Sequence, residues 1–163
     1  MSEANELIEV LSAEEVEAIE AEVAHLPDRE SAAIEALQIV QAKRGWVSDT
    51  SLAAIARLLG MSAAALDSIA TFYNLIFRQP VGRHVIMMCD SVSCFVMSCD
   101  QVHQAITENL GIKPGETTED GRFTLLPIVC LGACDRAPVV MIDDELVGNL
   151  TPEQVPTLLE QYR

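Results

Sequence analysis

The sequence predicts an α/β protein in two parts: an N-terminal helical bundle over residues 1–80 and an α/β domain over residues 81–163. Three observations carry this prediction. Apolar residues recur at helical spacing as far as Tyr73. Beyond them stand two apolar runs, Val85-Ile-Met-Met88 and Phe123-Thr-Leu-Leu-Pro-Ile-Val129, which read as buried strands. Between the two regions, Arg78-Gln-Pro-Val-Gly-Arg83 interrupts the periodicity with Pro and Gly, and the domain boundary is placed there.

Ser12-Ala-Glu-Glu15 has the form of a capping box, in which the hydroxyl accepts from the Glu15 amide and the Glu15 carboxylate reaches back. Val16, Ile19 and Val23 continue the helix to about His25. A second helix is expected from about Asp28 to Arg44, with Ile34, Leu37, Val40 and Gln41 inward and Gly45 as its stop. A third spans Asp49 to Leu59, and Ser62 opens a fourth that runs into Thr71-Phe72-Tyr73. Trp46, Phe72, Tyr73 and Phe77 are expected in a core or an interface.

In the second part, His84 begins the first strand and Phe95 to Leu110 reads as one helix closed by Gly111. Residues 113–121 form a turn-rich loop before the second strand. Pro138-Val-Val-Met-Ile142 and Leu146-Val147 make a hairpin about Asp143-Asp-Glu145, and a last helix runs from Thr151 to Tyr162. The Thr151-Pro-Glu-Gln start has a cap, a proline at the first helical position and a glutamine three residues on. The order strand, helix, strand, hairpin, helix describes a compact sandwich of the thioredoxin-like kind. In such folds the loop after the first strand is the usual place for redox chemistry.

Composition excludes several classes of function. Ten Lys and Arg stand against 25 Asp and Glu, a formal charge of −15, which repels phosphate backbones and anionic lipid, so nucleic acid is not an expected partner. The segment from Leu52 to Thr71 has the outline of a helix-turn-helix, but its second helix offers Ala63, Ala64, Ala65, Asp67 and Ser68 where a DNA reader needs long polar or basic side chains. Those small residues are expected to serve close helix packing. No apolar run approaches the roughly 20 residues that cross a bilayer, so no direct membrane insertion is expected. The start, Met-Ser-Glu-Ala-Asn-Glu, is acidic where a leader peptide would be basic.

All five cysteines lie between positions 89 and 134. Cys89 and Cys94 have four residues between them, Cys130 and Cys134 have three, and 35 residues separate the pairs. Each pair follows a predicted strand, so parallel neighbouring strands would deliver both pairs to one sheet edge. Four thiolates facing one centre form the ligand set of zinc or of an iron-sulfur cluster. Zinc prefers two residues between paired cysteines, whereas a four-residue gap occurs around 2Fe-2S centres, so the spacing favours iron. Dithiol exchange would call for Cys-x-x-Cys, which is absent. The other reading from the residues is a zinc-stabilised helix-turn-helix interaction protein.

Cys89-Asp-Ser-Val-Ser-Cys94, Gly111-Ile-Lys-Pro-Gly-Glu-Thr-Thr, Asp120-Gly-Arg-Phe, Cys130-Leu-Gly-Ala-Cys-Asp-Arg-Ala-Pro138 and Leu150-Thr-Pro-Glu, together with Gly45-Trp46 and Ala70-Thr-Phe-Tyr73, closely resemble one family. It is the small thioredoxin-like 2Fe-2S ferredoxin subunit of bacterial NADH:quinone oxidoreductase, respiratory complex I. The resemblance implies one 2Fe-2S cluster held by Cys89, Cys94, Cys130 and Cys134, with Cys99 outside the ligand set. It further implies a non-autonomous subunit of the NADH-oxidising module, exchanging single electrons with the FMN of a flavoprotein partner that binds NADH. Other iron-sulfur subunits of the peripheral arm are implied neighbours, on the cytoplasmic face of the inner membrane. Similar subunits serve NAD-linked formate dehydrogenases and hydrogenases, which leaves the parent complex open. No Gly-x-Gly-x-x-Gly is present, in keeping with nucleotide binding on the partner. Because reduction adds charge to an already anionic centre, amides of residues 90–93 and 131–133 are expected to donate to sulfur. Gly132 is expected to let the backbone approach, and Arg136 to offset charge.

Overall fold

A computed structural model describes residues 10–162; the acidic start at residues 1–9 and Arg163 lie outside the described residues. The chain divides into two compact units, between Pro80 and Val81.

The first unit holds four helices among its described residues: α1 (Ala13–Val23), α2 (Ala33–Arg44), α3 (Asp49–Leu59) and α4 (Ala63–Phe72). The capping box at Ser12 forms in both directions, with the Glu15 amide donating to the Ser12 hydroxyl at 3.2 Å and the Ser12 amide donating to Glu15 Oε2 at 2.7 Å. Ser48 and Ser62 cap α3 and α4 in the same way, each accepting from the amide three residues on. The inner faces of the helices fuse into one core that includes Leu11, Ile19, Leu37, Val40, Ile55, Leu59 and Leu66.

Long polar side chains then fix the connections. Arg44 reaches back to the carboxylate of buried Glu15 at 2.5 Å and to the Val10 carbonyl at 2.7 Å. Gln41 clamps the segment after α4, donating to the Leu75 carbonyl and accepting from the Phe77 amide. Arg78 donates to the Val47 carbonyl and pairs with Asp49 and Asp67.

One expectation for this unit is corrected and another narrowed. Ala63, Ala64 and Ala65 face solvent rather than packing against a neighbouring helix, because α4 turns Leu66 and Ala70 inward. Of the two places expected for Phe72 and Tyr73, the structure excludes the core and leaves the interface open: both are exposed, edge to face with each other at 5.2 Å between ring centroids.

The second unit is a four-stranded sheet of β1 (His84–Cys89), β2 (Phe123–Ile128), β3 (Val139–Ile142) and β4 (Glu145–Gly148), in the order β2-β1-β3-β4. β1 and β2 run parallel with Cys89 opposite Ile128, while β3 and β4 are antiparallel. The connection between the parallel strands carries α5 (Val92–Val96) and α6 (Cys99–Leu110), and the chain closes with α7 (Val155–Leu159). Ile86 and Met88 of β1 share a core with Val102 and Ile106 of α6 and Val155 and Leu159 of α7.

The single helix expected over residues 95–110 is broken, because Ser98 takes a left-handed conformation at φ 62° and turns the chain between Cys94 and Cys99. The last helix is also shorter than the pattern implies. Pro156 has no N–H to give to the carbonyl of Pro152, so residues 152–154 form a 3₁₀ turn and the α-helix starts only at Val155. Its end is tied down by Arg122, which donates to the carbonyls of Leu159 and Tyr162.

Candidate metal centre

The parallel register decides where the thiols go. Cys89 is the last residue of β1, and Asp90 donates its amide to the Ile128 carbonyl at 2.8 Å, so the two strands release their loops side by side. On the first loop, the short helix α5 carries Cys94 inward. On the second, Gly132 at φ 73° turns the chain between Cys130 and Cys134. The 3₁₀ turn Cys134–Arg136 then rests on β4, where a Cβ at Gly148 would stand 2.5 Å from the Arg136 Cβ and 2.8 Å from its carbonyl oxygen. Only glycine fits at that approach. The Asn149 amide, donating to the Arg136 carbonyl at 2.6 Å, locks the turn to the sheet.

The four paired thiols form one continuous string. Cys94 and Cys89 are within hydrogen-bonding reach of each other, Cys89 reaches Cys130, and Cys130 reaches Cys134. All five cysteines are free thiols. Among the described residues, no three thiol, imidazole or carboxylate groups close round the position of a single ion. Two such pairs would suit a binuclear core, with one pair of thiolates for each iron. The residues present therefore fit a [2Fe-2S] group by their donor set.

The environments at the two ends of the string differ. Cys89 and Cys94 are buried, whereas Cys130 and Cys134 are exposed. Burial, aided by the neighbouring Cys89 thiol and opposed by an amide hydrogen bond from Val139, pushes the Cys94 thiol up to about 11. Cys130 lies below the ordinary thiol value, chiefly because the Gly132 amide donates to its sulfur at 3.3 Å, with the Ser91 hydroxyl next. Both amide donors stabilise negative charge on sulfur.

Some expected roles change in detail. The Asp90 amide is spent on the sheet and does not face sulfur. Val139, at the start of β3, supplies a donor that the cysteine loops do not suggest. A Cβ at Gly132 would meet nothing within 4 Å, so its left-handed backbone, not a close approach, calls for glycine there. Arg136 is half-exposed with its guanidinium 4.0 Å from the Asp135 carboxylate, beside its own neighbour. Cys99 opens α6 and is buried among Cys89, Cys94, Ala133 and Val139, where burial raises its thiol. His103, one turn further along α6, brings its ring to the Cys89 backbone; burial lowers it, and its Nε2 is enclosed without a partner. The sequence signal for His103 is its i+4 spacing from Cys99, which places it on the face of α6 turned toward the thiols.

Residues 19–163 match the family of thioredoxin-like [2Fe-2S] ferredoxins. The chain is 56% identical over 153 residues to the E-type component of NADH-quinone oxidoreductase from Salmonella typhimurium, covering 94% of this chain and 92% of that protein. It is 55% identical to the same component from Escherichia coli K12 over the same length, with the same coverage. Among solved structures, an NAD+-reducing [NiFe]-hydrogenase in the air-oxidised state aligns with TM-score 0.65 at 22% identity. That alignment covers 81% of this chain and 22% of the hydrogenase chain, and it shows a shared fold.

Proposed function

Since the chain belongs to the thioredoxin-like [2Fe-2S] ferredoxin family, we propose that it is the electron-transfer subunit of the NADH-oxidising module of an NADH:quinone oxidoreductase. Cys89, Cys94, Cys130 and Cys134 hold its cluster. The observation that carries this reading is the string of four thiols delivered to one sheet edge by two parallel strands. Support among relatives comes from the extent of the match to NADH-quinone oxidoreductase components, more than half identical along nearly the whole of both chains.

A [2Fe-2S] group bound there supplies one-electron uptake and release. The chain's own residues do the rest. β1 and β2 fix the spacing of the two loops, the amides of Gly132 and Val139 favour negative sulfur, and the buried side formed by Cys99, Ala133, Ala137 and Val139 keeps water from that flank. NADH and FMN belong to a partner flavoprotein, which must release the two electrons of a hydride singly. The subunit is thus not an enzyme by itself, and it works at the cytoplasmic membrane face through its complex.

Anaerobic purification with iron and sulfide analysis tests the reading, followed by electron paramagnetic resonance of the reduced protein. Two irons, two acid-labile sulfides and about one spin per chain are expected on the ligand chemistry of such centres. Colourless protein carrying zinc and no sulfide would instead support the structural zinc alternative.

A further inference from the structure

The peptide unit that joins Cys89 to Asp90 is held from both sides. Its N–H donates to the Ile128 carbonyl at 2.8 Å. The ring of His103 bonds the Cys89 backbone in the sense that favours a proton on the ring, so a ring nitrogen donates and the Cys89 carbonyl oxygen accepts. The other ring nitrogen, Nε2, is buried and has no partner among the described residues. An enclosed polar atom without a partner destabilises a fold, and a leucine at this position would fill much the same space without that penalty. What the imidazole contributes here is therefore its bond to Cys89.

We propose that His103 is a positioning residue for the buried ligand pair, fixing the plane of the Cys89–Asp90 peptide and through it the direction of the Cys89 thiol. The inference rests on the cluster reading above and adds a residue outside the four ligands. β1, β2 and α6 all meet at this peptide: Cys89 closes β1, Ile128 closes β2 and accepts the N–H, and α6 supplies the ring. Both thiol loops leave from this junction, since Cys130 follows Ile128 by two residues. A hydrogen bond at each end of one peptide group strengthens the other, because each polarises the amide they share. The four-residue spacing from Cys99, itself buried beside Cys89 and Cys94, puts the ring on the face of α6 turned toward the buried thiols.

The bond also has an electrostatic sense. The N–H that His103 presents turns its positive end toward the Cys89 peptide, and positive potential near a ligand favours the added electron of a reduced cluster. Removing the ring should therefore lower the reduction potential. Asp90 and Asp100 are the charged groups that act on the ring. Substitution at position 103 leaves both in place, so a change in potential belongs to the ring itself.

The test uses the full chain, purified anaerobically. His103→Leu removes both ring nitrogens, whereas His103→Gln keeps a donor. A redox titration followed by electron paramagnetic resonance is expected to show a lower midpoint potential and altered g-values for His103→Leu, and wild-type values for His103→Gln. Hydrogen–deuterium exchange of the Asp90 amide, read by mass spectrometry on the chain as purified, is the second measurement. It should be about tenfold faster in His103→Leu, the scale of one net hydrogen bond lost, and it reports even where that variant keeps too little cluster to titrate. An unchanged potential and spectrum in His103→Leu, or unchanged exchange where no cluster remains to titrate, overturns the proposal and leaves the four ligands standing. Equal changes in the leucine and glutamine variants overturn it as well, since side-chain shape and not the hydrogen bond would then be what matters. Wild-type protein without a paramagnetic signal overturns the underlying cluster reading, while exchange at Asp90 still decides whether His103 holds the peptide.

Discussion

The two units solve the problem of buried polar groups in opposite ways. In the helical unit, Glu15 is buried, yet every demand of its carboxylate is met within the chain: the Ser12 amide and the Arg44 guanidinium satisfy it, and Arg44 is itself shared with the Val10 carbonyl and the Ser51 hydroxyl. In the α/β unit, the polar centre is a string of thiols, two buried and two exposed, whose donors within the chain are few: the amides of Gly132 and Val139 and the Ser91 hydroxyl. A buried charge with a complete set of internal partners stabilises a fold. If the four thiols hold a cluster, as proposed above, the stability of their unit depends on what is bound, because ligand binding to the folded state adds directly to its stability.

The largest effect should come from removing one of the proposed cluster ligands. Cys89→Ala is expected to abolish the reduced-state paramagnetic signal and to lower the unfolding midpoint of the α/β unit. The helical circular dichroism of the first unit should unfold as in the wild type. A common loss in both units would break the contrast between them.

Gly148→Val comes next, since its side chain would enter the space of Arg136 and push the Cys134 turn off the sheet. Overpacking of this kind costs about 1–3 kcal/mol. It should appear in urea unfolding together with a reduced iron content per chain.

Glu15→Ala sharpens the comparison from the other side. It strands the Arg44 guanidinium and removes the capping box, at roughly 2–3 kcal/mol for a buried hydrogen-bonded pair, and should leave iron content unchanged. The pH dependence follows. Burial alone would raise the Glu15 carboxyl, but the hydrogen bonds from Arg44 and Ser12 outweigh it and hold the group below its ordinary value of 4.5. A depressed acid stabilises the fold fully above the unfolded value, and that contribution is lost as pH falls through the lower folded value. The helical unit should therefore weaken from about pH 4.5 downward, and Glu15→Gln should flatten that slope in denaturation measured across pH.

The smallest change is Ser62→Ala, which removes the cap bond to the Ala65 amide at 3.1 Å. About 1 kcal/mol is expected in the helical unit, with no change in the electron paramagnetic resonance spectrum.

Much of this contrast is legible in the sequence alone. The Ser12 and Thr151 capping boxes can be read from four residues each and form as written, because a cap is a local matter of hydrogen-bonding reach. The parallel pairing of the strands before each cysteine pair is the condition for the thiols to converge, and β1 and β2 meet it. What escapes is nonlocal. Arg44 and Glu15 are 29 positions apart, and nothing in either neighbourhood says that one completes the other. Val139 cannot be seen as a donor to Cys94 because it reaches that loop only once β3 pairs with β1. The break at Ser98 is hidden by continuous helical periodicity across it, and the exposure of Phe95 and Val129 by the rule that apolar residues turn inward.

That exposure has a consequence for supply. A chain synthesised in excess of whatever covers Phe95, Val96 and Val129 carries a sticky, uncharged surface into a crowded solution. Its 25 acidic residues keep the remainder dispersed. A copy made without a covering surface is therefore exposed to aggregation and to triage by chaperones and proteases.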